Sequence, residues 1–278
     1  MKTAHWVRVI VENVSYLGTI RGDRIELFAG DLFGEQGSSP TPRATRVPPQ
    51  PLNRSIELKD AQFDLPCQPT KFIGLWNNYH AQATKQGLAI PTEPLYFLKP
   101  SSSFCTSGAV IQSPSHYVGR VVYEAELGIV IGQTCKSVSE AQAEAVIFGY
   151  TCINDFTALD LISKDTSFAQ WTRAKGFDGF GAFGPVIATG LDPMTLNVRA
   201  LINGRERQNY PCADMIFSPA MIVSLLSQEM TLYAGDIIAC GTSLGVLPMR
   251  SGTQVDVIID GIGCLSNTYH SATLDQPT

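Results

Sequence analysis

The run Val121-Val122-Tyr123-Glu124-Ala125-Glu126-Leu127-Gly128-Ile129-Val130-Ile131-Gly132 constrains this chain more than any other stretch. Its β-branched, alternating composition predicts a buried strand carrying two acids. Side chains alternate along a strand, so Glu124 and Glu126 emerge on one face while Tyr123, Ala125, Leu127 and Ile129 take the other. Two carboxylates on one pleated face stand about 7 Å apart at Cα, and their side chains can converge on one cation at roughly 2.0 to 2.2 Å.

The solvated face of an edge strand produces the same E-x-E pattern, because charged residues are mostly exposed. Here the glutamate face also holds Val122, Gly128 and Val130, and exposure would leave the valines in water. Burying both acids uncompensated is costly, and a divalent cation is the simplest compensation. A third acid lies downstream of a predicted helix, where Phe148-Gly149-Tyr150-Thr151-Cys152-Ile153-Asn154-Asp155 reads as a second strand ending in Asp155. Three carboxylates plus waters suit Mg²⁺ or Mn²⁺, whereas zinc more often recruits His or Cys.

A chain of 278 residues can bury roughly 75% of its unfolded surface, enough for one large domain or one with a small appendage. Its net charge of −5 gives no nucleic-acid footprint. Seven scattered cysteines, an odd number without a C-x-x-C pair, fit reduced thiols inside a cell. The first residues lack an apolar leader, and no run approaches the length of a membrane span. These features predict a soluble, cytoplasmic protein with neither membrane nor nucleic acid as partner.

Residues 6–28 alternate in the manner of a small β-meander, and the Ser/Pro-rich 37–51 reads as a loop. Residues 1–65 are therefore expected to form a small accessory β domain, and 66–278 the catalytic one. Ser137 and Glu140 have capping-box spacing for a helix to about residue 148, and Thr157 is placed to cap a short helix over 158–163. Asn203-Gly204 predicts a type I′ hairpin, and Ser218-Pro219 opens a helix through about residue 228. Residues 231–240 return to strand, with a turn at 234–236, and lead into Gly241-Thr242-Ser243-Leu244-Gly245. That segment is either a backbone nest for an anion or an ordinary glycine turn. Residues 255–265 give a last strand pair around Gly261-Ile262-Gly263, with a polar, frayed end beyond. Many strands, short helices and no regular βαβ alternation predict an α+β fold, mainly β.

The segments 123–132 and 148–155, Ala174-Lys175-Gly176-Phe177-Asp178, and 240–246 resemble, in order and spacing over roughly 66–269, the fumarylacetoacetate hydrolase family. The resemblance implies a mixed β-roll or sandwich with a small amino-terminal β unit, a metal site at its mouth and a homodimer. Glu124, Glu126 and Asp155 would hold Mg²⁺ or Mn²⁺. Lys175 would stabilise an enolate, and Gly241 and Thr242 would hold the carboxylate of a small oxo-acid substrate.

The family's lid pattern, G-L-N-Y-x-x-H-x-x-E, fits imperfectly. Counting from Gly74-Leu75 places its histidine on His80 and its acid on Ala83; counting back from residues 94–99 places them on Gln82 and Lys85. The first frame keeps a titratable base, so His80 is the candidate for moving a proton or activating water. Neither frame supplies the acid. Where the family often carries Arg and Gln, this chain has Leu159 and Ile162. The implied activity is metal-dependent hydrolysis of a carbon–carbon bond in a 2,4-dioxo acid such as an acylpyruvate. Its rivals are decarboxylation or keto–enol and double-bond isomerisation of 2-oxo acids, and a silent metal-binding scaffold.

Overall fold

A computed structural model describes residues 3–33 and 48–272 of the chain. The central sheet is built around the strand Ala125–Ile131, all seven residues of which are buried. One face, with Leu127 and Ile129, packs into a core that also contains Val198, Val257 and Leu265. The other face, with Val130, joins Ile153, Phe72, Phe183 and Ile237. Burial on both faces explains why the sequence here is almost continuously apolar.

In hydrogen-bonded order the sheet runs from Gln50–Glu57 through Arg24–Ala29, Val14–Arg21, Ala4–Val11, Val186–Thr189 and Ile147–Asp155. It continues through Ala125–Ile131, Ile237–Ala239 and Phe72–Trp76 to Leu95–Lys99. Most neighbours are antiparallel, but Ile237–Ala239 lies parallel to Phe72–Trp76, so the sheet is mixed. A second, five-stranded sheet is ordered Arg205–Pro211, Asn197–Ile202, Thr253–Ile259, Gly263–His270 and Val110–Gln112. The chain forms the expected α+β, mainly β architecture, built from open mixed sheets. The amino-terminal meander extends the large sheet directly, with Ala4 opposite Thr189 and Val7 opposite Val186.

Several local expectations shift. The 121–132 run is not one strand. Val121–Val122 pair with Thr157–Ala158 in a separate two-stranded sheet, and Glu124 sits in the gap before Ala125. The gap is held because Asn154 Oδ1 accepts from the Glu124 N–H and Asp155 N–H donates to the Glu124 carbonyl.

The helix Glu140–Val146 is capped by Ser139, not Ser137. Ser139 donates from its N–H and its hydroxyl to Gln142 Oε1, while Ser137 lies in the left-handed region at φ 52°. Thr157 belongs to a strand, and the short helix is Leu159–Ile162. Of the Pro-rich loop, residues 37–47 lie outside the described residues, and its end is already in the edge strand Gln50–Glu57, where Pro51 costs no interior ladder bond.

The hairpin forms as expected, with positive φ at Asn203 and Gly204, and Ser218 caps Pro219–Glu229 through the Met221 N–H. The last strand pair is Thr253–Ile259 and Gly263–His270. Among the described residues no helix is long and apolar enough to cross a membrane.

Candidate active site

Strand register places the acids. Glu126 is opposite Ile153 in the antiparallel pair, so Asp155, two residues on, returns to the glutamate face. The outcome is a cluster in which one oxygen from each of Glu124, Glu126 and Asp155 lies within 4.8 Å of the others. Glu126 and Asp155 are fully buried, while the Glu124 side chain keeps 17% exposure. Val122 and Val130 on the same side are buried too, which removes the solvated edge-strand reading.

Two lysines close the cluster from below. Lys175 ends the helix Trp171–Lys175, and its Nζ donates to Glu124 Oε2 at 2.5 Å and Asp155 Oδ2 at 2.6 Å. The ammonium also lies 4.7 Å from the centre of the Phe97 ring, which stacks on Trp171. Lys99, the last residue of Leu95–Lys99, places Nζ 2.6 Å from Asp155 Oδ1. It donates to the carbonyls of Lys175 and Phe180 at 2.8 Å each and of Phe156 at 3.3 Å. Asp155 Oδ1 thus faces the Lys99 ammonium and Oδ2 that of Lys175.

Sequence reasoning missed Lys99, because a lysine before a proline reads as the solvated end of a strand. The available signal was phase: Lys99 lies two residues from the buried Phe97, on the same inward side.

Charge shapes the cluster unevenly. Burial, with Asp155 and Glu124 nearby, pushes the Glu126 carboxyl well above its usual range. Burial also raises Glu124, against the pull of Lys175. For Asp155 burial is outweighed by Lys175 and Lys99, which hold it below the usual carboxylate value. Burial lowers Lys175 less than Asp155 and Glu124 raise it, so its ammonium is held charged.

This donor set fits a hard divalent cation: three convergent carboxylates, all oxygen donors, with the Glu126 carboxyl raised by burial and by its acidic neighbours in the absence of a counter-charge. The three acids form a possible acidic metal-binding triad.

The 241–245 turn supports the cluster from the side. Gly241 N–H donates to Glu126 Oε2 at 2.7 Å. The Thr242 hydroxyl donates to the Ala125 carbonyl at 3.0 Å and accepts from Gln208 Nε2 at 2.9 Å. Gln208 also accepts from the Ala125 N–H, and Tyr210 donates to the Ala125 carbonyl. These bonds fix the strand between the two glutamates, a role for Gly241 and Thr242 that spacing alone could not reveal.

His80 is placed differently from the five clustered side chains. It is the exposed first residue of the helix His80–Gln86, and its ring makes no hydrogen bond among the described residues. Its neighbours Asn78 and Tyr79 are the buried ones. Asn78 donates to the Cys240 carbonyl at 2.8 Å and accepts from Phe217 N–H, tying the segment to the turn that follows Cys240. Ala83 is fully buried, while Gln82 is half-buried and Lys85 exposed.

Residues 71–269 match the family model for the fumarylacetoacetate (FAA) hydrolase C-terminal region. An uncharacterised protein of Archaeoglobus fulgidus is 41% identical over 213 residues, covering 77% of this chain and 84% of its own. The protein named oxaloacetate tautomerase FAHD1, mitochondrial, of Arabidopsis thaliana is 38% identical over 198 residues, covering 70% and 88%. Among solved structures, 2-hydroxyhepta-2,4-diene-1,7-dioate isomerase from Mycobacterium marinum superposes with a TM-score of 0.84 at 33% identity, covering 97% and 99% of the two chains.

Proposed function

Because this chain belongs to the fumarylacetoacetate hydrolase family, we propose that it is an isomerase acting on 2-oxo or 2-hydroxydienoic acids through an enolate, with Mg²⁺ or Mn²⁺ bound. One observation carries the choice. The buried site contains an enolate-stabilising ammonium, Lys175, whereas the one histidine of the lid is exposed and has no acid partner at the fully buried Ala83. Isomerisation needs the first and can proceed without the second. The relatives named as a tautomerase and a dienedioate isomerase support the same reading.

Glu124, Glu126 and Asp155 would hold the cation. When bound, it supplies Lewis-acid polarisation of the substrate's oxo group and carboxylate. Lys175 Nζ holds its proton firmly and so acts as a fixed donor toward the oxygen on which negative charge grows. Gly241 and Thr242 keep the Glu126 carboxylate and the Ala125 backbone in place, and burial of Phe97, Phe156 and Phe180 around the lysines excludes water. The reading includes a small oxo-carboxylate as partner and a cytoplasmic homodimer, in keeping with seven free thiols.

Hydrolysis of an acylpyruvate stands as the second reading, favoured by His80 at the start of a helix that Asn78, two residues before it, ties to the site's turn.

Enol-to-keto conversion of oxaloacetate and cleavage of an acylpyruvate, followed side by side by ultraviolet absorbance with Mn²⁺, separate the two. Isomerisation is expected to be the faster, to fall at least a hundredfold in kcat in Lys175→Met, and to be unchanged in His80→Ala. Faster cleavage that His80→Ala abolishes would overturn the isomerase reading in favour of hydrolysis.

A further inference from the structure

Lys99 has no part in the chemistry above, yet its side chain, like that of Asp155, has no exposed surface. An ammonium has three N–H bonds. They are shared among four acceptors, Asp155 Oδ1 at 2.6 Å, the carbonyls of Lys175 and Phe180 at 2.8 Å each and that of Phe156 at 3.3 Å; burial lowers the Lys99 pKa and the Asp155 carboxylate opposes that. Its Nζ therefore cannot reach a substrate. A methionine would fill the same volume without the cost of burying a charge, so packing does not account for a lysine here.

The formal charges do account for it. Glu124, Glu126 and Asp155 contribute three negative charges, and Lys175 and Lys99 two positive. With all three acids ionised the cluster is formally −1, and it becomes +1 with a divalent cation. Without Lys99 the loaded cluster would be neutral.

We propose that Lys99 is a positioning residue whose ammonium, paired with Asp155, makes the cation-loaded site net positive, so that the site takes anionic substrates. The proposal rests on the metal-dependent reading above and deepens it. It follows that Lys99 weakens cation binding while strengthening anion binding, because it sits beside a carboxylate the cation would use. A single charge at this range shifts an ionic equilibrium by about one to three powers of ten.

Opposite signs make this testable. Metal-depleted wild type, Lys99→Met and Lys99→Arg are titrated calorimetrically with Mn²⁺, and the loaded proteins then with pyruvate and with its neutral methyl ester. In Lys99→Met, Mn²⁺ is expected to bind about tenfold tighter or more and pyruvate about tenfold more weakly, with the ester unaffected. Lys99→Arg keeps the charge and is expected to keep the wild-type ratio of pyruvate to ester affinity. Lys99→Gln keeps a polar N–H group on a side chain one bond shorter while dropping the charge, and gives the same measurement should the methionine variant not fold. Mn²⁺ and pyruvate binding that weaken together, or that do not change, would overturn the proposal. The Mn²⁺ titration needs no turnover, so a wild type lacking isomerase activity would sink the proposed function while leaving this test intact.

Discussion

Glu126 and Asp155 are both fully buried carboxylates on one face of adjacent strands, yet they stand in opposite electrostatic positions. Glu126 has a backbone N–H and no cation within hydrogen-bond reach; Asp155 is flanked by two ammoniums. Linkage gives each a sign. The folded Glu126 carboxyl is raised above its unfolded value near 4.5, so as pH rises through that value the unfolded chain loses its proton first and stability from this group falls. Asp155 is lowered, so its contribution is present above about 3.8 and is lost as pH falls through the folded value. In EDTA at neutral pH, Glu126→Gln is therefore expected to melt at or above the wild-type temperature, and Asp155→Asn to lose about 3 to 5 kcal/mol by stranding Lys175 and Lys99. Thermal melts of the two variants check this. Equal destabilisation of both would show that the lysines do not depend on Asp155.

Elements carry these residues into place, and small steric facts decide whether they arrive. Phe72–Trp76 and Leu95–Lys99 are paired with Gly74 opposite Phe97, and a Cβ at Gly74 would lie 2.4 Å from the Phe97 ring. That ring has nowhere to go, because it is stacked on Trp171 and lies under the Lys175 ammonium. Gly74→Ala is expected to cost about 1 to 3 kcal/mol by overpacking and to lower isomerase kcat, since Lys175 shifts with its support. Gly87 makes a control. It ends the helix His80–Gln86 in the left-handed region with nothing within 4 Å of a Cβ, so Gly87→Ala should cost about 1 kcal/mol and leave kcat unchanged. Melting curves and kcat for both variants separate space from backbone strain. If Gly74→Ala left kcat intact, the Phe97 ring would not be what places the lysine. The same elements show what sequence could carry. Period-two alternation and one strand end were enough to assemble Glu124, Glu126 and Asp155, because strand register is local geometry. It could not show the break at Glu124, which depends on a hydrogen bond from its own N–H to a residue thirty positions away, nor distinguish Ser139 from Ser137 as a cap when both had polar partners in range.

Across the whole molecule, five ionisable side chains, four of them buried, lie where four elements end or break: the gap before Ala125–Ile131, the end of Ile147–Asp155, the end of Leu95–Lys99 and the end of Trp171–Lys175. Two of these elements are central in the large sheet, one is its edge, and one is a helix held to that edge by Phe97. A cation bound by Glu124, Glu126 and Asp155 would tie adjacent central strands together at the point where three acids converge on two lysines. Binding to the folded state alone stabilises it by RT ln(1 + [L]/Kd), about 2.7 kcal/mol at a hundredfold excess over Kd, which for a chain of this size is a rise of roughly 5 to 10 °C in Tm. Mn²⁺ added to EDTA-treated wild type should produce that rise. In Glu126→Gln the rise should vanish even though the metal-free variant is as stable as wild type, since one negative ligand is gone while the fold is not. A Tm increase of the same size in that variant would mean that the ion acts somewhere other than the three acids, and that the charge balance drawn from Lys99 and Lys175 belongs to packing alone.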